Sequence, residues 1–251
     1  MDKDDYIYGI RAVTEAVEAG RDIEKVLVKK DLQGDLIRPL LDLLRKNKVI
    51  VQRVPGERID RITRKNHQGV LAILSAVTYY RLDNLVPELY EEGLLPFVVV
   101  LDGITDVRNF GAIARTCECA AVDAIVIPEH GSVGVGGDAV KTSAGALNHI
   151  PVCRERNITG AVRFLKDNGY KIVAATEKSM INYTTENYTD PVALVMGAED
   201  TGISPAVLAM CDAKVSIPML GKISSLNVSV AAGVLIYEVV RQRLEANLEV
   251  I

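Results

Sequence analysis

Five short stretches of the chain are near-continuous in apolar residues: 97–101 (FVVVL), 124–127 (AIVI), 171–175 (KIVAA), 192–196 (VALVM) and 214–217 (KVSI). A strand with one wet face alternates apolar and polar residues, whereas a strand covered on both faces does not. Stretches with helical spacing separate these runs, and strands that alternate with helices build a parallel sheet with helices on its faces. The fold class expected from residue 96 onward is therefore α/β. Ligands of such a sheet sit at the carboxyl ends of its strands.

The first 77 residues read as a separate, smaller α/β domain. Residues 11–19 and 36–46 have helical apolar spacing, 23–29, 49–54 and 69–77 read as strands, and 56–65 is a basic helix-like stretch. Over 78–95 the strand character is lost, and Pro87, Glu91, Glu92 and Gly93 punctuate the segment. The expected organisation is a domain over 1–77, a linker over 78–95 and a second domain over 96–251.

Charge sharpens that division. The whole chain carries a net charge of -4, which by itself argues against nucleic acid. Residues 1–81 hold 16 Lys/Arg against 12 Asp/Glu, whereas 82–251 hold 13 against 21. Within the first part, Arg45, Lys46, Lys48, Arg53, Arg58, Arg61, Arg64 and Lys65 face only Glu57 and Asp60. Such a run suits phosphates, although on charge alone a solvated face is an equal reading.

No apolar run approaches the roughly 20 residues that span a bilayer. The acidic start MDKDDY lacks the basic and apolar regions of a secretory signal, so cytoplasm is the expected compartment. Cys117, Cys119, Cys153 and Cys211 form no CxxC pair and have no His-rich partner spacing, so reduced thiols are expected and no metal site.

Four segments carry candidate chemistry. Gly134, Gly136 and Ala139 satisfy G-x-G-x-x-A, with Glu155 near the distance where an acid would hold a ribose. Residues 129–133 separate these glycines from the preceding strand, however, so a glycine loop feeding a helix from about Asp138 is the better reading. Such a loop beside a strand end could close over a substrate. In 101–120, Asn109 is expected to cap a helix, Gly111 permits close approach one turn in, and Arg115 follows on an otherwise small, apolar helix. An arginine among Ala, Ile and Thr either meets an anion or snorkels to solvent.

In 192–204 a buried strand ends at Gly197, where the backbone is open to a ligand. Glu199 and Asp200 follow as site or turn residues, and Ser204 and Pro205 start a helix. In 216–243 a strand ends at 217–219, Ser225 is expected to cap a long helix, and Asn227 falls in its first turn. Donors at a helix start suit a carboxylate or a phosphate. The apolar surface of that helix, Val230, Val234, Leu235 and Val239, reads as packing or a dimer face.

The last three segments, in this order, resemble motifs 1, 2 and 3 of the SpoU (TrmH/RlmB) family of SPOUT RNA 2'-O-ribose methyltransferases: N-x-G-x-x-x-R at Asn109, Gly111 and Arg115, G-A-E-x-x-G from Gly197 to Gly202, then I-P-M with S-L-N-V-S-V-A from Ser225. YGIRAVTEAV and NHQGV resemble the family's N-terminal RNA-binding domain. The resemblance implies a trefoil-knotted catalytic domain, a topology that the general rule against knots would exclude. It also implies a homodimer and S-adenosyl-L-methionine held by backbone around Gly197, Ile217 and Leu226.

Asn109, Arg115, Glu199, Ser225 and Asn227 are the implied catalytic set, and no metal is implied. The implied substrate is RNA, with guanosine in 23S ribosomal RNA first and tRNA the alternative. Arg115 is the residue implicated in activating the hydroxyl. A guanidinium is hard to deprotonate, so phosphate binding and polarisation suit it better than general-base duty. Two rivals stand beside this: a non-catalytic RNA-binding protein of the same fold, and a nicotinamide-dependent oxidoreductase resting on the glycine loop.

Overall fold

The computed structural model describes residues 6–91 and 95–246. The acidic start and the punctuating Glu92 and Gly93 lie outside the described residues. The chain divides into two compact units, residues 1–78 with 134–138, and residues 79–133 with 139–251.

The first unit contains β1 (Tyr6–Tyr8), α1 (Ile10–Glu18), β2 (Ile23–Lys29), α2 (Arg38–Lys46), β3 (Val51–Val54), α3 (Gly56–Asp60) and β4 (Val70–Leu74). Its sheet runs β1-β4-β2-β3, with β4 antiparallel to both β1 and β2 and β3 parallel to β2. One face packs Val26, Val28, Val70 and Ala72 against Val13 and Val17 of α1 and Leu40 and Leu44 of α2. On the other face Leu27 and Leu71 meet Ile59 of the short α3. The chain enters α1 through Gly9 at φ 90, a conformation that side chains disfavour. The helix expected over 56–65 ends at Asp60, so Arg61, Arg64 and Lys65 follow it in non-helical chain.

The second unit contains β5 (Tyr79–Tyr80), α4 (Leu82–Glu91), β6 (Phe97–Asp102), α5 (Val107–Cys119), β7 (Ala124–Pro128), β8 (Val152–Glu155), α7 (Ile158–Asp167), β9 (Lys171–Ala175), β10 (Val192–Gly197), α8 (Pro205–Leu208), β11 (Ala213–Val215) and α9 (Val228–Glu245). Helix α6 (Gly137–Thr142) straddles the boundary between the units. The seven strands run β11-β9-β10-β6-β7-β8-β5 and every pairing is parallel. Four of the apolar runs are β6, β7, β9 and β10, as the missing alternation requires; the fifth, 214–217, coincides only in part with β11, an edge strand whose Lys214 is exposed.

Val98, Val100, Ala193 and Val195 face a core completed by α4 and α7. Helices α5 and α9 pack on each other and contact β7 and β10 respectively. The segment expected as a linker carries β5 and α4. Leu82, Leu85, Val86 and Leu89 have i, i+3, i+4, i+7 spacing and are all buried, and Pro87 gives up one helical hydrogen bond within the same helix. No helix among the described residues is long and apolar enough to cross a membrane.

Candidate active site at the strand ends

Three chain segments converge at the carboxyl ends of the central strands. After β6 the backbone turns at Gly103, φ +85, and enters α5. The cap of α5 is Asp106, whose carboxylate accepts from the amides of Arg108 at 2.6 Å and Asn109 at 3.4 Å. Asn109 is therefore not the cap expected from the sequence. It lies inside the first turn, and its side chain is released for other partners.

The next segment is the turn after β10. A Cβ on Gly197 would lie 2.2 Å from the Gly202 carbonyl carbon and 2.3 Å from the Ile203 nitrogen. The close approach expected there is made by the chain's own backbone. Ala198 and Gly202 pair as an isolated bridge, and the Ser204 amide donates to Asp102 at 2.8 Å, which fixes the turn to β6. Asp200 accepts from the Thr201 amide and serves the turn. Glu199 does not.

At α9 the expected cap is displaced by two residues. Asn227 is the cap, accepting from the Ser229 amide at 2.9 Å, and Ser225 lies in the preceding loop. The Asn227 Nδ2 group then donates to Asn109 Oδ1 at 2.9 Å and to Glu199 Oε1 at 2.8 Å. Asn109 Nδ2 faces Glu199 Oε2 at 3.5 Å. An amide nitrogen has two protons, and both of those on Asn227 are used. One residue from each motif thus forms a closed polar cluster.

Beside it lies a cleft with about 700 Å³ of space, part of it open to solvent. Gly197, Ile217 and Leu226, the expected donor-binding positions, line it together with Glu199 and Ser225. Sequence reasoning missed Thr176 and Glu177, which line the cleft immediately after β9. The polar pair TE directly after an apolar run was the available signal. The walls combine apolar side chains such as Val215, Val228 and Leu235 with two carboxylates, Glu177 and Glu199. A ligand with a flat apolar ring, hydroxyls and a positive charge suits such a lining. An adenosyl sulfonium has all three.

Arg115 does not join this group. It is exposed on α5 and makes no hydrogen bond or ion pair among the described residues. The glycine loop does not form a phosphate cradle either: Val135 is fully buried in the first unit, and its carbonyl accepts from the Ala76 amide at 2.9 Å. Glu155 accepts from the Leu82 amide at 3.0 Å. The nicotinamide reading loses both of its supports. Among the described residues there is no cluster of His, Cys, Asp or Glu able to hold a metal ion.

The seven-stranded parallel sheet thus carries its cleft at the carboxyl edge, walled by the loops after β9, β10 and β11 and by the start of the last helix. Residues 96–237 match the model of the SpoU rRNA Methylase family, and 6–80 match that of RNA 2'-O ribose methyltransferase substrate binding. The chain belongs to the SpoU family. It is 38% identical over 237 residues to a protein of Staphylococcus saprophyticus named for the TrmH family of tRNA/rRNA methyltransferases, covering 94% of this chain and 95% of that one.

Among solved structures, the SpoU methyltransferase AviRb from Streptomyces viridochromogenes in complex with AdoMet is 25% identical, with a TM-score of 0.60 over 96% of this chain and 90% of that chain. An rRNA methyltransferase from Sinorhizobium meliloti is also 25% identical, with a TM-score of 0.59 over 94% of this chain and 86% of that chain.

Proposed function

We propose that the protein transfers a methyl group from S-adenosylmethionine to the ribose 2'-hydroxyl of a guanosine in 23S ribosomal RNA, in the cytoplasm and as a homodimer. The observation that carries this reading is the Asn109–Glu199–Asn227 cluster set beside a cleft that fits the donor. When bound, S-adenosylmethionine supplies a methyl group activated by its sulfonium charge.

The protein's tasks are then alignment and proton handling at the hydroxyl. Gly197, Ile217 and Leu226 hold the donor, and Glu199 and Ser225 present polar atoms at the cleft. Asn109 and Asn227 fix the direction of the Glu199 carboxylate. Arg115, which makes no ion pair among the described residues, binds an RNA phosphate and polarises the hydroxyl.

A homodimer is supported by α9, where Val230, Tyr237 and Leu244 are 52%, 51% and 60% exposed at intervals of seven residues and so share one helix face. A guanosine in tRNA is the second reading, favoured by relatives named for tRNA and rRNA alike. The test is methyl transfer from labelled donor to ribosomal RNA and to tRNA from a strain lacking the gene, with 2'-O-methyl sites mapped. Transfer to a large-subunit guanosine supports the reading; transfer to tRNA alone moves it to the alternative. Binding of RNA and donor without transfer leaves the non-catalytic protein. Arg115→Ala is expected to abolish transfer with donor affinity retained in calorimetry, and equal loss of both refutes the phosphate role.

A further inference from the structure

The sheet face of the first unit that α3 covers is only partly closed. Tyr6 and Tyr8 alternate with Ile7 on the edge strand β1, so both rings project to the α3 side while Ile7 packs on the α1–α2 side. Both tyrosines are half-buried, with ring centroids 6.2 Å apart and planes inclined by 43°. Lys65 Nζ lies 5.6 Å over the Tyr8 ring. Arg58, Arg61, Arg64 and Lys65 are exposed, and no hydrogen bond or ion pair engages their side chains among the described residues.

Two other members of the basic run are committed elsewhere, whereas Lys46 and Lys48 are exposed on and just after α2. Arg53 donates to the carbonyls of Lys29, Lys30 and Leu32 at 3.3, 3.4 and 2.8 Å, and Arg45 pairs with Asp42. Of the two acids in the run, Asp60 is 2.9 Å from His67 and Glu57 is exposed. Lys65 thus lies over one of two half-buried aromatic rings, and Arg58, Arg61 and Arg64, close to it in the chain, are exposed.

A cation patch alone serves any polyanion. Accessible aromatic rings beside it add a surface on which bases stack, which is how single strands are held without sequence readout. We propose that this face binds an unpaired nucleotide of the RNA substrate, with Tyr6 stacking the base and Lys65, Arg64 and Arg61 taking the flanking phosphates. Rings inclined by 43° cannot both lie flush on one base, and Tyr8 already carries Lys65. Tyr8 is therefore the positioning residue, holding the ammonium beside the base that Tyr6 receives. The proposal rests on the reading of the protein as an RNA methyltransferase and names the form of RNA that the first unit selects.

The test uses the full chain with a labelled 12-nucleotide single strand, a 12-base-pair duplex and polyglutamate as probes. Tyr6→Leu keeps the apolar packing, and Tyr6→Phe keeps the ring. Tyr6→Leu is expected to weaken single-strand binding by about 5- to 150-fold, the range for losing one base stack, and to leave duplex binding and the salt slope unchanged. Tyr6→Phe should bind like the wild type. Lys65→Ala should lower the single-strand salt slope by about 0.7. The chain has no tryptophan, so tyrosine emission, quenched when a base stacks, reports the contact in the unmutated protein.

Unchanged single-strand affinity in Tyr6→Leu, equal losses on both RNAs, or polyglutamate binding as tight as the single strand overturns the proposal. In those cases RNA methylation by the wild type still stands. A wild type that binds neither RNA removes the stacking shelf and the RNA reading together.

Discussion

Asn227 performs two separable tasks. Its Oδ1 accepts from the Ser229 amide and caps α9, while its Nδ2 bridges Asn109 and Glu199. Asn227→Asp keeps the first and reverses the second, because an aspartate still accepts at a cap but places an anionic oxygen where the donor stood, 2.8 Å from Glu199 Oε1. Two unit charges at that separation repel by about 1.5 kcal/mol at the dielectric of water and about 6 kcal/mol at an effective value of 20. Both residues are exposed, so the lower figure applies, and a favourable helix-terminus charge offsets about 0.3–1 kcal/mol of it.

The net loss in folding stability at pH 7 is then roughly 1 kcal/mol, measured by urea unfolding. The repulsion is between exposed charges, so added salt screens it and shrinks the deficit. Methyl transfer should fall at least about tenfold, since 1.4 kcal/mol of misplaced orientation has that effect. Asn227→Ala loses the cap as well, for about 1 kcal/mol, but adds no charge and no dependence on salt. An Asn227→Asp protein with wild-type turnover and the wild-type unfolding midpoint at low salt would refute the bridging role.

Gly197→Ala puts a methyl group 2.2 Å from backbone that cannot rotate away. We expect at least about 3 kcal/mol of lost stability, or a displaced 198–203 turn with weakened donor binding; calorimetry and a melting curve matching the wild type would exclude both. Arg243 is 5% exposed, donates to the carbonyls of Tyr188, Asp190, Leu95 and Pro96, and lies over the Phe97 ring. Arg243→Met should cost about 2–4 kcal/mol in urea unfolding by stranding those acceptors, partly offset because a charge no longer has to be buried. Glu238 is held below the usual carboxylate range by its bidentate contact with Arg241. Its stabilisation is thus complete above the unfolded pKa near 4.3 and disappears as pH falls through the lower folded value; Glu238→Gln should melt with a shallower pH dependence over that window.

How much of this could be read beforehand follows from where the signals reside. The apolar runs β6, β7, β9 and β10 were legible because burial on both faces removes alternation from the sequence itself, whereas β11 is a three-residue edge strand with Lys214 exposed. Strand β8 carries Arg154 and Glu155 in four residues, and β5 is only Tyr79–Tyr80, so neither has enough apolar length to register. Helix α4 was masked by Pro87, although its four buried residues keep helical spacing. The caps were misread for a common reason. Asn109 and Asp106 are both good cap residues, as are Ser225 and Asn227, and local preference cannot rank two candidates two or three residues apart. Tertiary contacts rank them: Asn227 is drawn to the cap position where its second amide proton reaches Glu199.

The remaining mismatch concerns what a single chain can complete. Motif residues Asn109, Glu199 and Asn227 meet within one chain, yet Arg115 of the same motif as Asn109 stays exposed and makes no ion pair among the described residues. Six residues of α-helix separate Asn109 and Arg115 by about 9 Å along the axis, so the two side chains serve different ligands. The glycine-rich stretch after β7 shows the same separation of signal from cause. Its glycines look like a phosphate loop, but Gly134 lies against Glu24, with the Glu24 carboxylate oxygen 3.1 Å from where a Cβ would be, and Val135 is fully buried in the first unit. Gly134 answers to packing within the first unit, whereas a Cβ on Gly136 would meet nothing within 4 Å. The stretch is also the start of α6, whose Thr142 leaves no room for a side chain at Gly111 on the helix that carries Asn109. A spacing pattern records that the backbone must come close to something; only the fold says whether that is a ligand or another part of the chain.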